Sequence, residues 1–394
     1  MKILALSWEF PPRIVGGIAR HVAELYPEIV KLGHEVHLIT VKFGEAPLYE
    51  VVDGIHIHRV PAGGHHFFQW VGNMNEHIGE HGGKLILEEK NFDLIHAHDW
   101  LVADSAIALK HIFKLPLVGT IHATEWGRHN GIHNQTQHYI YSKEHELTFN
   151  SWRVIVCSNY MKREVEHILT CPPDKIDVVY NGIKSEKKPN KDEFDAQAWR
   201  AKFATEEEKI VYYLGRMTPE KGIAVLIQAA PMILHELAGR VKFVIVGGGK
   251  TDYLKQLAWD LGISEKVYFT GFMSEEDLDK FQVIADCAVF PSLYEPFGIV
   301  ALESFATKVP VVVSNAGGLP EVVQHGVTGI VTEVNNPESL AWGILEILQK
   351  EDLGQYLTRN AFDDLKQRFD WAKLAKQTEM VYQQVVNERL LVDW

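Results

Sequence analysis

The 394-residue chain carries 39 Lys and Arg against 52 Asp and Glu, a formal net charge of −13. Partners that demand a positive footprint, nucleic acid and anionic membrane surfaces, are disfavoured by that balance. Hydrophobic residues at 46 %, charged residues at 23 % and three widely spaced cysteines (Cys157, Cys171, Cys287) describe a cytoplasmic globular protein without a disulfide framework.

The chain opens on a short apolar run that meets Trp8, Glu9 and the Pro11–Pro12 pair, too soon for a signal-peptide core. No stretch approaches the ~20 apolar residues of a membrane span. Short β-branched runs at 2–6, 35–40, 55–60, 94–96, 117–121, 154–157 and 177–180 read as strands. Segments 18–32, 101–113 and 160–169 have helical spacing. The charged, aliphatic-poor stretch 184–208 reads as an exposed linker. A second alternation comes after it, with strands at 210–214, 242–246, 267–270, 288–290, 309–313 and 329–331 and helices between them. The last segment, 371–386, is a helix with no strand after it.

Such alternation predicts an α/β protein of two doubly wound Rossmann-like domains, residues 1–184 and 185–370, with a terminal helical segment 371–394. Ligands of these sheets bind beyond the carboxyl ends of the strands, so facing domains would place the site in a cleft. The sequence contains no internal repeat and no low-complexity tract.

Four segments come directly after predicted strands. Gly16 and Gly17, just before a helix, can bring backbone N–H groups and the helix dipole to a phosphate, although a tight turn alone would also use them. Arg216 and Lys221, five residues apart on the turn Gly215–Gly222, suit a diphosphate leaving group, and equally a solvated loop. In Glu295-Pro-Phe-Gly-Ile-Val-Ala-Leu-Glu303, Gly298 opens a helix on which Glu303 sits among apolar residues. A buried carboxylate there asks for a hydroxyl-bearing ligand or a structural partner, and Glu295 is free to reach the same ligand. His122 ends an apolar strand, where catalytic and purely structural histidines are both expected. His96 and His98, with Asp99, form a His-x-His pattern, but the twenty histidines are scattered and no H-E-x-x-H or paired C-x-x-C occurs, so no metal site is expected.

Together these segments resemble the retaining glycosyltransferases of family four, which have the GT-B fold, and the match covers nearly the whole chain. The E-x7-E string and G-R-M-T-P-E-K-G carry most of it. By resemblance, Arg216 and Lys221 hold the diphosphate, Glu303 the ribose hydroxyls and Glu295 the donor-sugar hydroxyls. Phe297, Gly298 and Ile299 line the sugar and phosphate pocket, and Gly17, with Gly16, approaches the distal phosphate. His122 sits beside the transferred sugar, and Phe272 and Met273 meet the nucleotide base. The final helix returns to the first domain. The implied mechanism is front-face displacement, in which the leaving phosphate takes the acceptor's proton, without metal or other cofactor.

His96-Ala-His-Asp-Trp100 also occurs in glycogen and starch synthases, whereas the opening W-E-F-P-P and Thr120–His129 resemble family-four α-glucan and oligosaccharide glucosyltransferases more closely. Leu101 replaces a histidine of the glycogen synthases, and Val15-Gly-Gly-Ile18 lacks the lysine of their donor loop. The expected donor is therefore UDP- or ADP-glucose and the expected acceptor an α-glucan, oligosaccharide or other soluble glycoside. Trp8, Asp99, Trp100, Glu125, Trp126 and Arg128 are the acceptor-side candidates, although each tryptophan could equally be a packing residue. GDP-mannose or UDP-N-acetylglucosamine with a lipid-linked acceptor, a nucleotide-sugar epimerase and a non-catalytic sugar-binding protein are the competing readings. Oligomeric state, linkage and regulation are left open by the sequence.

Overall fold

The computed structural model describes residues 1–184, 188–189 and 191–392. It divides into two compact units, Met1–Gly182 with Trp371–Trp394, and Ile183–Asp370.

The first unit is built on β1 (Lys2–Ser7), β2 (Glu35–Val41), β3 (Tyr49–Val52), β4 (Ile55–Val60), β5 (Leu94–His98), β6 (Leu117–Ile121), β7 (Arg153–Val156) and β8 (Ile176–Val178). Their order across the sheet is β3-β4-β2-β1-β5-β6-β7-β8. Every pairing is parallel except that of the edge strand β3 with β4. The central strands are buried almost throughout, as a sheet covered by helices on both faces requires. The helix Gly17–Lys31 lays Ile18, Val22, Leu25, Tyr26 and Ile29 on this core. The terminal helix Trp371–Leu390 packs against the same cluster through Trp371, Leu374, Val381, Tyr382 and Val385. Trp371 Nε1 donates to Glu24 Oε2 at 2.6 Å, and the Tyr382 hydroxyl meets His96 Nδ1 at 2.6 Å, so polar contacts fix the docking that burial drives.

Three elements of this unit escape the sequence pattern. Strand β3 has exposed Tyr49, Val51 and Val52 and no alternation to mark it. The helix Phe67–Glu89 interrupts its buried stripe of Val71, Met74, Ile78 and Leu85 with glycines and histidines. The helix Gln135–Asn150 is largely polar, yet buries Gln137, Glu144 and Thr148.

The second unit contains β9 (Lys209–Leu214), β10 (Val241–Val246), β11 (Val267–Gly271), β12 (Cys287–Phe290), β13 (Val311–Ser314) and β14 (Ile330–Thr332). All are parallel, in the order β11-β10-β9-β12-β13-β14. The order reverses direction at β9 and β12, the position where ligands of such sheets bind.

The described residues of 184–208 are mostly exposed, as expected, but they do not form a linker. Residues 185–187 and 190 lie outside the described residues, but the stretch from 191 to 208 belongs to the second unit. A short helix, Ala196–Arg200, ends at an arginine whose Nη2 donates to Glu208 O and Asp286 Oδ2, both at 2.7 Å. Lys202 Nζ lies 3.6 Å from the centre of the Trp199 ring, whose edge meets Phe203. Arg200 thus anchors the segment to Asp286 just before β12, while Lys191, Asp192, Glu193, Asp195, Lys202, Glu206 and Glu207 remain exposed.

Candidate active site

The turn after β9 and the loop after β12 meet at the carboxyl end of the second sheet. Gly222, at φ +66°, starts the helix Ile223–Glu236, and a Cβ there would lie 1.9 Å from Pro291 O. The absence of a side chain lets the two loops touch. Leu293 N and Tyr294 N both donate to Glu220 O, at 2.8 and 3.2 Å, which fixes one loop on the other.

This junction aligns two of the expected donor residues. Lys221 Nζ donates to Glu295 Oε2 at 2.8 Å, and Ser292 Oγ lies 3.3 Å from the same oxygen. Glu295 is buried, so the lysine offsets a carboxylate that would otherwise be costly. A lysine ammonium has three N–H donors, and one is spent on Glu295. Arg216 is about half exposed and only loosely paired with Glu220, at 3.7 Å, which leaves its fork available to an anion.

Gly298, at φ +109°, precedes the helix Ile299–Ala306, which buries Ala301, Leu302, Glu303, Ser304 and Phe305. Glu303 is buried as the sequence suggested, and Phe297 is an interior residue that meets Phe369 edge-on. Behind the loop, Gly318 N donates to Glu295 O at 2.8 Å, and a Cβ on Gly317 would sit 2.0 Å from that same oxygen. Gly317 and Gly318 were missed by the sequence reading, because a Gly–Gly pair after β13 carries no chemical group to flag it. Phe272 projects into solvent, 85 % exposed, after the end of β11.

In the first unit, β5 and β6 end side by side and deliver His98 and His122. His98 Nδ1 lies 3.3 Å from His122 Nε2, and the two rings stack at 5.6 Å. His21, from the helix Gly17–Lys31, stands edge-on to His122 at 4.9 Å, and Trp371 stands edge-on to His21 at 5.3 Å. His21 Nδ1 pairs with Asn181 Oδ1 at 2.8 Å, which places the proton on Nδ1 and the lone pair on Nε2. Burial lowers all three imidazoles, His21 to about 4 and His98 and His122 well below the usual range, so the group is neutral at pH 7. One nitrogen from each ring lies within 4.8 Å of the others, so these residues could also close on a metal ion. Only His122 of this trio was singled out for the site from the sequence; His21 and Asn181 are 160 residues apart and carry no joint signal.

His96 is fully engaged, with Nδ1 near the Tyr26 and Tyr382 hydroxyls and Nε2 2.7 Å from Thr120 Oγ1. The His-x-His pattern is thus divided between a structural histidine and one that faces His122.

Gly16 does not stand as expected. Glu9 Oε2 accepts from Val15 N at 2.6 Å and from Gly16 N at 3.0 Å, so an internal carboxylate takes the anion position at this helix start. Burial raises the Glu9 carboxyl, and these backbone donors oppose the rise. Gly17 is the first residue of the helix.

The acceptor-side candidates fall into two groups. Asp99, Trp100 and Glu125 are buried. Trp100 stands edge-on to Phe67 and Tyr139, so its ring serves the interior more than a sugar face. Trp126 and Arg128 are half-buried. Burial raises Asp99 to about 6, while Arg128 pulls it back down. Glu125 N donates to Glu144 Oε1 at 2.8 Å, and the Glu125 carboxylate lies 3.2 Å from His129 Nε2. Trp8 is half-buried, edge-on to Trp70 at 6.3 Å, with the Arg13 guanidinium within 5.4 Å of both rings.

Comparison with known proteins gives this arrangement its family. Residues 195–364 match the family "Glycosyl transferases group 1" and residues 15–187 match "Glycosyltransferase Family 4". An uncharacterized glycosyltransferase of Methanocaldococcus jannaschii is 41 % identical over 392 residues, covering 97 % of this chain and 98 % of that protein. A glycogen synthase of Mycobacterium tuberculosis is 33 % identical over 399 residues, covering 97 % and 94 %. Among solved structures, the sucrose-phosphate synthase of Thermosynechococcus elongatus aligns with a TM-score of 0.84 at 23 % identity, covering 98 % and 99 % of the two chains. Anabaena HepE in complex with UDP-glucose aligns with a TM-score of 0.79 at 22 % identity, covering 98 % and 100 %. The two predominantly parallel sheets, the terminal helix and these full-length matches make this chain a member of the family-four glycosyltransferases, with the GT-B fold and hexosyltransferase activity.

Proposed function

We propose that this enzyme transfers glucose, with retention of configuration, from UDP- or ADP-glucose to an α-glucan, oligosaccharide or other soluble glycoside, without a metal ion. The observation that carries the reading is the Lys221–Glu295 contact, which sets a cation and a carboxylate side by side on a buried loop junction with Arg216 on the same turn. A diphosphate leaving group asks for the cations, and a sugar ring asks for the carboxylate. The likeness to a glycogen synthase supports glucose as the donor sugar, and three free, buried cysteines suit a reducing cytoplasm.

In this reading the bond from the anomeric carbon to the phosphate oxygen breaks while the acceptor oxygen bonds on the same face. The acceptor's proton passes to the leaving phosphate oxygen. Arg216 and Lys221 stabilise the charge that develops there, Glu295 and Glu303 hold sugar and ribose hydroxyls, and the neutral His122 accepts from or donates to a sugar hydroxyl.

The test is product analysis by proton NMR, with UDP- or ADP-glucose and maltooligosaccharides, glycogen or simple glycosides, in buffer with and without EDTA. The reading expects a new α-glycosidic anomeric signal that EDTA leaves unchanged. Transfer from GDP-mannose or UDP-N-acetylglucosamine alone, or to a lipid-linked acceptor alone, would replace the donor or acceptor. Sugar release independent of any acceptor would replace transfer itself.

A further inference from the structure

A second group of chemistry-bearing side chains lies at the outer edge of the first sheet and has no part in the proposed reaction. Strands β2 and β4 pair with His37 opposite His56. Glu35 lies two residues before His37 and His58 two after His56, so all four side chains share one face of the sheet. Val36 and Ile57, which alternate with them, are buried. These residues line a cavity of about 490 Å³ together with His81 and Tyr49.

The distances are those of a connected set. Glu35 Oε1 is 2.9 Å from His37 Nε2, His37 Nδ1 is 3.2 Å from His58 Nε2, and His58 Nδ1 is 3.1 Å from His81 Nε2. His56 Nδ1 is 2.8 Å from the Tyr49 hydroxyl, and its ring stacks on His37 at 4.6 Å. One ligand atom each from Glu35, His37 and His56 lies within 4.8 Å of the other two. Lys2 Nζ also reaches Glu35 Oε1, at 3.0 Å, but is equally close to Glu89, which retains it when Glu35 turns to another cation.

We propose that Glu35, His37 and His56 bind a divalent transition-metal ion of the zinc or cobalt class. Two imidazoles and one carboxylate are borderline ligands that suit these ions over calcium or magnesium. His56 sits on the outer side of the pair, half-buried, and a rotation of its ring out of the stack aims Nε2 at the ion while Tyr49 holds Nδ1. The other histidines form the outer shell that orients His37. A carboxylate only accepts, so without metal His37 donates from Nε2 to Glu35, His58 donates from Nε2 to His37, and His81 donates from Nε2 to His58. Metal on His37 Nε2 reverses this chain: His37 donates from Nδ1 to His58, and His58 from Nδ1 to His81. Each of the three rings keeps one proton and changes tautomer. The ion ties β2 to β4, next to the edge strand β3.

The full-length protein, stripped with chelator, is dialysed against Co(II) and then Zn(II), with metal analysis, visible absorption and thermal melting as readouts. One Co(II) per chain with d–d absorption bands, displaced by Zn(II), and a raised melting temperature are expected. His56→Gln, whose fold is checked by circular dichroism, abolishes both signals. Tyr49→Phe and His58→Gln weaken binding by about tenfold. Nitrogen-15 spectra of the histidines show His58 moving its proton from Nε2 to Nδ1. Binding that survives His56→Gln, or that is lost in His21→Gln in the separate cluster around His122, would overturn the assignment. So would the absence of stoichiometric binding to the stripped protein.

Discussion

Lys221 Nζ stands 2.8 Å from Glu295 Oε2 and thereby joins the turn after β9 to the loop that comes after β12. Glu295 is buried while Lys221 is partly open, so the contact supports both the loop and the charge of the site. Lys221→Ala leaves the buried carboxylate without its cation, with Ser292 Oγ as the remaining partner of Oε2, and should lower stability by about 1–3 kcal/mol. Turnover should fall by about 10²–10³, as for other groups that stabilise charge in a transition state. Adding Glu295→Gln should recover stability without recovering turnover. Thermal melts and nucleoside diphosphate release on the single and double variants separate the two effects.

Glu9 caps the helix Gly17–Lys31 from seven residues before Gly16, through Val15 N and Gly16 N. Removing its oxygens in Glu9→Ala strands these donors, together with Ala19 N in the first helical turn, and should cost about 1–2 kcal/mol. Glu9→Gln keeps one acceptor oxygen and should cost less. Urea midpoints rank the two variants.

Gly317 and Gly239 both have positive φ, but only Gly317 faces a wall: a Cβ there would lie 2.0 Å from Glu295 O, whereas one on Gly239 would have nothing within 4 Å. Gly239→Ala should therefore cost only the backbone term, about 1 kcal/mol, with turnover unchanged. Gly317→Ala should displace the Glu295 loop and raise KM for the donor as well as lowering the melting temperature. Steady-state kinetics of both variants test the contrast.

Stability should fall in mild acid. Burial lowers His21 to about 4 and His96 to about 3, both below the value near 6.5 of an unfolded histidine. A depressed pKa contributes stability that is full above pH 6.5 and is lost as the pH falls toward 4 and 3. Asp99, raised to about 6, works in the opposite direction between pH 6 and its ordinary value, as do the carboxyls of Glu9, Glu144 and Asp364, which burial also raises. They offset part of the loss from the seven lowered histidines His21, His37, His58, His81, His96, His98 and His122. Each histidine adds a slope of about 1.4 kcal/mol per pH unit inside its window. Denaturant titrations of wild type and His21→Asn at pH 7, 6 and 5 should show the variant with the shallower loss.

Much of this was legible in the sequence because it depends on local pattern. The β-branched runs of β1, β2, β9 and β10, and the glycine before the helix Ile299–Ala306, announce the two sheets and the loop that carries Glu295 and Glu303. What stayed hidden depends on distant pairs. The histidines read as scattered along the chain, yet two neighbouring strands and one helix gather His37, His56, His58 and His81, and another three elements gather His21, His98 and His122. The polar helix Gln135–Asn150 was invisible for a related reason: its buried Glu144 is held by Glu125 N, a partner outside the helix. The contact of Gly16 N with Glu9 stayed hidden for the same reason, since its partner lies seven residues away.

Acceptor-dependent transfer is read most directly as nucleoside diphosphate release from UDP-, ADP- and GDP-sugars, with and without maltooligosaccharide or glycogen, in wild type and Lys221→Ala. Release from UDP- or ADP-glucose should rise when acceptor is added and collapse in the variant. Release that ignores the acceptor, or that is undiminished in Lys221→Ala, would contradict the proposed transfer.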